Sequence, residues 1–443
     1  MNAINTEKKK RNETESRNGA ESRREALKCL SFIKEGVSSF HVVKAMERQL
    51  EAAGFIFLSE RDCWKIEKGR DYYVKRNDSS LIAFRVPEKE SRGFHIVASH
   101  SDSPSFKLKE KPEINVEKKY QKLNVEPYGG MIYSTWLDRC LSVAGRLVLR
   151  TKGEPESVNV QLDEDLLVIP SLAIHMNREI NKGVEYNPQI DLLPLFACGE
   201  GEETLMERLA LAAKVKKEDI LGKDLFLYVR EEGRLAGENK EFIVSPRLDD
   251  LECVYASLTG ILEKTPEEYI SVCAVFDNEE VGSLTRQGAA SDFLKNTLER
   301  AGEAMGLSKS GIYRLLAGSF MISADNAHGV HPNHPEKADP SNRPYLNEGI
   351  VIKYHGGQKY TTDAFSGAVM KSICGEAGVP FQFYANRSDI AGGSTLGNIL
   401  SGQAAVPAAD IGLAQLAMHS AVETAGSRDV EYLVKALKVF YEK

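Results

Sequence analysis

Short apolar runs that end in polar side chains recur along this chain. Residues 94–99 read FHIVAS and are followed by His100, and residues 272–276 read VCAVF and lead into Glu279 and Glu280. Runs of this length that are rich in β-branched and aromatic residues predict buried strands. Ligands of open α/β sheets bind beyond the carboxyl ends of strands, so we expect these polar residues to lie where a site would form.

The rest of the chain alternates between strand-like and helix-like patterns. The pattern predicts strands over residues 71–75, 80–86, 94–99, 272–276, 318–323, 349–354 and 381–384. Apolar positions three or four residues apart predict helices from residue 22 and over residues 39–54, 245–262, 292–304, 310–316, 362–377 and 429–440. This alternation is typical of an α/β fold.

The pattern changes between residues 104 and 241, where short alternating runs and turn signals dominate. We interpret residues 104–241 as a β-rich domain that is inserted into an α/β domain formed by residues 23–103 and 242–443. Residues 1–22 are polar and basic, with no apolar core of a secretory signal, and we expect them to form a flexible tail.

Composition restricts the class of protein. The chain has 443 residues, of which 42% are hydrophobic and 27% charged, as in ordinary globular proteins. Its net charge of -7 argues against nucleic acid as a partner, and its apolar runs are too short to span a membrane. The seven cysteines are scattered and form no CxxC pair, which favours reduced thiols in the cytoplasm.

Five potential metal ligands follow apolar runs or begin a helix. They are His100, Asp249, Glu280, Asp325 and His419. If the strands that end near them are parallel neighbours, these side chains converge on one edge of the sheet. Two histidines and three carboxylates without cysteine suit one or two divalent ions, such as zinc, manganese or cobalt. Glu279 then remains as a candidate general base.

Each of these signals also has an ordinary structural interpretation. A Glu-Glu pair is often a solvated turn, and an aspartate such as Asp249 at a helix start is often a cap. For His175 a structural role is as plausible as a functional one. The histidines at 328, 331 and 334 are separated by prolines, which favours a structured loop. The glycines of residues 392–397 match neither a phosphate-binding loop nor a nucleophile elbow.

Nine segments together carry a resemblance to a known family. They are HIVASHSDSPSFKLK at His95, YGGMIYSTWLDRCLSVAGR at Tyr128, IPSLAIHMNR at Ile169, SPRLDDL at Ser245, DNEEVGSLTRQGA at Asp277, SADNAHGVHPN at Ser323, GIVIKY at Gly349, NRSDIAGGSTLG at Asn386 and DIGLAQLAMHS at Asp410. The chain resembles the metallo-aminopeptidases grouped around aspartyl aminopeptidase and yeast aminopeptidase I, from about Ala26 to the C-terminus.

The resemblance implies a role for each candidate. One ion would be held by His100, Asp249 and Asp325, and the other by Asp249, Glu280 and His419. Glu279 would be the general base, and Asp102 would orient His100. Lys353 would contact substrate. His175 would either reach a neighbouring subunit's site to stabilise the oxyanion or bind metal.

The resemblance also implies a fold, an assembly and a substrate class. The expected fold is a zinc-exopeptidase (phosphorylase/hydrolase-like) mixed sheet flanked by helices, with an inserted β-rich oligomerisation domain. Homododecamers would enclose the active sites and admit short peptides. Two zinc ions per subunit are expected, with manganese or cobalt as alternatives.

The chain departs from the family pattern at two places: residues 354–357 read YHGG, and Cys140 follows an Asp-Arg pair. Residues 386–389 read NRSD, which resembles the bacterial and yeast aminopeptidase I branch more than animal aspartyl aminopeptidases. Residues 354–357 and 386–389 are possible walls of the specificity pocket, so we favour neutral or broad N-terminal specificity over acidic. Two alternative functions stay open: a deacylase of N-acyl amino acids, and a catalytically silent, peptide-binding assembly.

Overall fold

The computed structural model describes residues 21–199 and 203–443. Most of the predicted tail, residues 1–20, lies outside this part. Residues 21 and 22 already belong to helix α1, which is described over residues 21–35. The other helices are α2 Ser39–Ala52, α3 Leu205–Ala213, α4 Leu248–Glu263, α5 Phe293–Ala304, α6 Lys309–Ala317, α7 Ala364–Ala377, α8 Leu396–Ala404 and α9 Asp429–Glu442.

The strands of the described part divide into three sheets. In chain order they are β1 Ile56–Phe57, β2 Asp71–Arg76, β3 Ser80–Arg85, β4 Phe94–His100, β5 Ser105–Val116, β6 Tyr120–Tyr128, β7 Leu141–Leu149, β8 Glu156–Gln161, β9 Leu195–Cys198, β10 Ile220–Val229, β11 Arg234–Ala236, β12 Phe242–Ser245, β13 Ile270–Phe276, β14 Phe320–Ala324, β15 Ala327–His328, β16 Ile350–Lys353, β17 Phe381–Tyr384, β18 Ala408–Gly412, β19 Ala414–Leu416 and β20 Glu423–Gly426.

The largest sheet has the order β1-β2-β3-β13-β4-β14-β18-β16-β17 and mixes parallel and antiparallel pairs. Successive residues of β4 face opposite sides: Val97 joins a core with helices α1, α2, α4, α7 and α9, while Ile96 and Ala98 join a core with α5, α6 and α8. Helices therefore cover both faces, which explains why the central strands are mostly apolar and are buried at every position. This is the predicted mixed α/β architecture.

The second sheet, β8-β7-β10-β5-β6-β9, is antiparallel and is built from residues 105–229. Helix α3 packs on it through Leu205 and Leu209. The third sheet, β11-β12-β20-β19-β15, was not predicted. In it, β11 pairs with β12 across the predicted domain boundary at residues 241 and 242.

The parallel arrangement on which the metal-site prediction depends is confirmed. Strand β4 lies between β13 and β14 and is parallel to both, so His100, the turn after β13 and Asp325 lie at one edge. Strand β18 and helix α8 were also not predicted. Strand β18 is short and consists mainly of small residues, and α8 begins at Leu396 inside a glycine-rich segment.

Among the described residues, each helix is too short or too polar to cross a membrane.

Candidate metal centre

Two of the predicted residues are placed by the central parallel strands. His100 is the last residue of β4 and lies opposite Phe276, the last residue of β13. Asp325 comes directly after β14. His100 is 1% exposed and Asp325 is 7% exposed, so both side chains are removed from bulk solvent.

The paired glutamates do not continue strand β13. They lie in a 3₁₀ turn, Glu279–Val281, entered through Asn278 with a left-handed φ of 63°. The turn, rather than the alternation of a strand, therefore sets the directions of their side chains. Both residues are partly buried, so the plain interpretation as a solvated acidic turn is wrong.

Asp249 lies between the two candidate histidines. Its Oδ1 is 3.4 Å from Nε2 of His100, and its Oδ2 is 3.5 Å from Nε2 of His419. Asp249 lies inside α4 rather than at its N-cap, which is Arg247, and its backbone is non-helical. A simple capping role is therefore excluded, and the carboxylate is free to be shared between two sites.

The ligand atoms form overlapping groups in which all atoms lie within 4.8 Å of one another. One group is His100, Asp249, Asp250 and Asp325, another is Asp249, Glu280 and His419, and a third is His100, Glu279 and Glu280. In the second group, Nε2 of His419 is 3.4 Å from Oε2 of Glu280. Sequence reasoning missed Asp250, although it adjoins Asp249.

The site residues fit divalent cations. Three buried carboxylate oxygens of the site find no hydrogen-bond donor among the described residues: Oδ1 of Asp249, Oδ1 of Asp250 and Oε1 of Glu280. A buried carboxylate oxygen without a donor is unfavourable, and a cation among these oxygens removes that penalty. Imidazole nitrogens mixed with carboxylate oxygens are the donors that zinc takes in catalytic sites.

Asp102 connects the two strand ends. Nδ1 of His100 donates to the backbone oxygen of Asp102 at 3.1 Å, which leaves Nε2 directed at Asp249. The Asp102 carboxylate accepts the backbone N–H groups of Glu279 and Glu280 at 3.2 Å each. The hydroxyl of Tyr128 donates to it at 2.7 Å. Asp102 thus fixes the imidazole through its backbone oxygen and the glutamate turn through its carboxylate.

His419 is held by residues that sequence reasoning missed. Its Nδ1 donates to the carbonyl oxygen of Gly130 at 2.9 Å, and its backbone N–H donates to Glu423 at 2.8 Å. The neighbouring Gly129 has a φ of 81°, and a Cβ there would lie 3.1 Å from Cβ of Glu280. The adjacent glycines at positions 129 and 130 were the sequence signal for this feature, because glycine lets the backbone come close to other groups.

Burial and mutual charge shift the ionisation of the site. Burial raises the pKa of Glu279 to about 8, with repulsion from Asp325 adding to it. For His419, burial acts to lower the pKa, but the carboxylates of Asp249 and Glu280 outweigh it and raise the value to about 10. Burial also opposes ionisation of Asp249, yet its pKa is lowered because both histidines bind its carboxylate. Strongly shifted groups that cluster in this way are typical of catalytic sites.

Comparison with known proteins identifies the family. The model of the Aminopeptidase I zinc metalloprotease (M18) family matches residues 32–441. The chain belongs to the M18 family. The probable M18 family aminopeptidase 2 of Clostridium acetobutylicum is 46% identical over 424 residues, which cover 94% of this chain and 98% of the relative. The resemblance found in the sequence is confirmed, and this M18 chain is a metallo-aminopeptidase, a hydrolase of the exopeptidase class.

Solved structures support the same fold. The cryo-EM structure of the Ape4 and Nbr1 complex matches with a TM-score of 0.92 at 34% identity, covering 96% of this M18 chain and 86% of that chain. The S. cerevisiae mApe1 dodecamer matches with a TM-score of 0.82 at 28% identity, covering 94% and 96% of the two chains. The zinc-exopeptidase fold class is thereby confirmed.

A cavity of about 180 Å³ opens beside the metal centre of this M18 chain. Its lining includes Glu279, Asp325, His328, Lys353, Tyr360 and Met418. Lys353 is 2% exposed, and its Nζ donates to the carbonyl oxygen of Asn326 at 2.8 Å. The ammonium also lies 3.9 Å from Asp325 and 5.3 Å from the centre of the Tyr360 ring. Its charge is therefore already compensated within the chain.

His175 lies apart from these residues. It belongs to an irregular, exposed stretch of the M18 chain over residues 170–191, and its own side chain is exposed. His331 and His334 lie in a loop with a short 3₁₀ turn, Pro335–Lys337, as predicted, whereas His328 is the last residue of strand β15. Of these, only His328 lines the cavity.

Proposed function

We propose that this M18 aminopeptidase removes N-terminal residues from short peptides at a centre of two metal ions. One ion would be bound by His100, Asp249 and Asp325, and the other by Asp249, Glu280 and His419. The observation that carries the proposal is the position of Asp249, whose two oxygens lie 3.4 Å and 3.5 Å from Nε2 of two different histidines. A carboxylate shared in this way is the bridging ligand that a two-metal hydrolase needs.

Zinc is the proposed metal, with manganese and cobalt as alternatives. Two divalent ions at these positions would lower the pKa of a water molecule and polarise the scissile carbonyl. The family description supports zinc, and the mixed imidazole and carboxylate donors are compatible with all three metals.

Glu279 is the proposed general base. Its carboxylate lines the cavity, has no ligand position in the two proposed sets, and has a pKa that burial raises to about 8. A group whose pKa lies close to the working pH accepts and returns a proton readily. Glu279 would take the proton of the attacking water and then protonate the leaving amine. Asp102 would keep His100 in the orientation that directs Nε2 towards the metal.

A neutral or broad preference for the N-terminal side chain is proposed. The one buried ammonium in the described cavity wall, that of Lys353, is engaged by Asn326 and Asp325. Tyr360 and Met418 add apolar surface. An acidic substrate side chain would have to compete with Asp325 for Lys353, whereas a neutral side chain would not.

Self-association into a homododecamer is proposed, by comparison with the mApe1 dodecamer. The residues around His175 support an interface, because Leu172, Ile174 and Met176 are 55%, 51% and 76% exposed. Apolar side chains in such a group mark a surface that packs on a partner. His175 would then reach the neighbouring subunit's site and stabilise the oxyanion. The cytoplasm, favoured by the cysteine pattern, is the proposed compartment.

The proposed division into domains follows the predicted boundaries. Residues 23–103 and 242–443 would form the catalytic domain, and residues 104–241 the inserted oligomerisation domain. The antiparallel sheet supports this division, because its strands all come from residues 105–229.

A substrate panel tests the function. The chelated protein would be reconstituted separately with zinc, manganese and cobalt and assayed on aminoacyl anilides and on N-acetyl amino acids. We expect hydrolysis of neutral aminoacyl anilides only. Hydrolysis of N-acetyl amino acids alone would identify a deacylase, and failure to bind metal or turn over either class would identify a silent assembly. Native mass spectrometry of the same protein tests the dodecamer.

A further inference from the structure

We propose that Glu423 is a positioning residue that fixes the backbones of Asp249 and His419 relative to each other. The proposal rests on the proposed metal function, because these two residues are its shared ligand and its second histidine. Glu423 itself would touch neither metal nor substrate.

The contacts of Glu423 are with the backbones of both ligands. Its Oε2 accepts the backbone N–H of Asp249 at 3.1 Å, and its Oε1 accepts that of His419 at 2.8 Å. Glu423 is 2% exposed and begins strand β20, where it pairs with Ser245 at the end of β12. That pairing places its side chain next to the start of α4, which carries Asp249.

A chain of buried hydrogen bonds extends from Glu423 towards the third ligand segment. Nε2 of Gln415 donates to Glu423 at 3.4 Å, and Nδ2 of Asn326 donates to Oε1 of Gln415 at 2.9 Å. Asn326 directly follows Asp325, and its Nδ2 also donates to the carbonyl oxygen of Leu248 at 3.0 Å. The backbones next to Asp249, Asp325 and His419 are therefore joined by one polar network.

The carboxylate is the group that this position requires. His419 has a left-handed φ of 66° and lies in a loop, so no ladder or helix fixes its backbone. Hydrogen bonds from two N–H groups to one buried carboxylate are charge-assisted and strong. A glutamine could accept only one of them, because its amide nitrogen would face the other N–H donor. The backbones of the two ligands would then be held less firmly relative to each other, although the side-chain volume at position 423 is unchanged.

The test compares Glu423→Gln with a matched control, Glu47→Gln. Glu47 is also buried, at 6% exposure, but it is bound by Lys44 and Lys75 on α2 and β2. Zinc Kd would be measured by chelator competition on the full chain, and the visible absorption of the cobalt form would report ligand geometry. We expect Glu423→Gln to weaken zinc binding about 10- to 100-fold and to alter the cobalt spectrum, as loss of outer hydrogen bonds does at other metal sites. Glu47→Gln should leave both unchanged.

The outcomes separate this inference from the proposed function. A wild-type Kd and cobalt spectrum in Glu423→Gln would overturn the positioning role while the metal function stands. Wild-type protein that binds no metal would overturn the metal function itself. If Glu423→Gln does not fold, Glu423→Asp replaces it, since it keeps the charge but shortens the side chain by one methylene and so moves the carboxylate away from the two N–H groups. Weaker zinc binding in that variant supports the proposal, and an unchanged Kd overturns it.

Discussion

The metal centre and the stretch over residues 170–191 contain histidines in opposite environments. His100 is 1% exposed at the end of a central strand, whereas Met176, next to His175, is 76% exposed. Around His100, the chain supplies its own ligands, their hydrogen-bond partners and the surrounding core. Around His175 it supplies apolar side chains that are more than half exposed. One region is completed by folding, and the other is arranged as a surface that a second molecule would complete.

The physical difference lies in what holds each backbone. The ends of parallel strands are fixed by the ladders on both sides, so side chains from distant sequence positions meet with little freedom. Residues 170–191 have only turns and a short 3₁₀ segment. The comparison predicts that substitutions at the sheet edge change metal binding and chemistry, whereas substitutions at residues 170–191 act only through assembly.

The largest effect is expected from the shared carboxylate. Asp249→Asn should remove both ions and reduce turnover to background, because its two oxygens face both histidines. Asp325→Asn should remove only one ion. Metal content after gel filtration, measured by inductively coupled plasma mass spectrometry, distinguishes them. Equal losses in the two variants would contradict a bridging role for Asp249.

The next effect concerns the proton acceptor. Glu279→Gln should lower kcat by about 10²- to 10⁴-fold while both ions remain, because a general base contributes about that much. Steady-state kinetics with a neutral aminoacyl anilide and metal analysis check this. Glu303→Gln, an exposed glutamate on α5, is the control. Near-normal activity of Glu279→Gln would show that another residue accepts the proton.

A smaller loss is expected at the exposed histidine. His175→Ala should lower kcat about 10²- to 10³-fold, the usual effect of removing one oxyanion donor, with unchanged metal content. His334→Ala, another exposed histidine, should have no effect.

Mixed assemblies sharpen this prediction. Subunits with His175→Ala retain Glu279, and subunits with Glu279→Gln retain His175. If His175 acts in a neighbour's site, dissociating and reassembling the two variants together should restore activity. No recovery in verified mixed oligomers would place His175 outside the neighbour's reaction.

The smallest expected effect is on how the free energy of unfolding of the metal-free protein depends on pH. Folding raises the pKa of Glu279 from 4.5 to about 8, so the folded state holds a proton that the unfolded state releases between these values. Its contribution to stability is therefore present at low pH and is lost as pH rises through about 8. The slope is at most about 1.4 kcal/mol per pH unit for one proton.

Glu279→Gln isolates this contribution. In chelated protein, denaturant unfolding should show the variant gaining stability relative to wild type as pH rises from about 5 to about 8. His175→Ala should show no such trend. A constant difference between Glu279→Gln and wild type across this range would mean that Glu279 is solvated in the metal-free fold.

Much of this architecture was readable from local pattern. The run before His100 is mostly apolar, and buried at every position, because helices cover both faces of β4, and this identified the strand and its functional end. The missed elements lacked such a pattern. Strand β18 reads AADIG, and α8 begins in a segment whose glycines indicate a loop. Tertiary packing, rather than local preference, determines both elements. Strand β18 pairs between β14 and β16, and α8 packs on the core that contains Ile96 and Ala98.

The candidate ligands were named from the sequence because an apolar run that stops at an ionisable residue is a local signal. Which atoms face one another was decided only by tertiary structure. The turn that separates Glu279 from Glu280, the fourth carboxylate of Asp250, and the hydrogen bonds of Gly130 and Glu423 all depend on segments far apart in the chain meeting at one edge. Sequence determines which side chains are available for chemistry, and the register of the strands determines which of them share an ion.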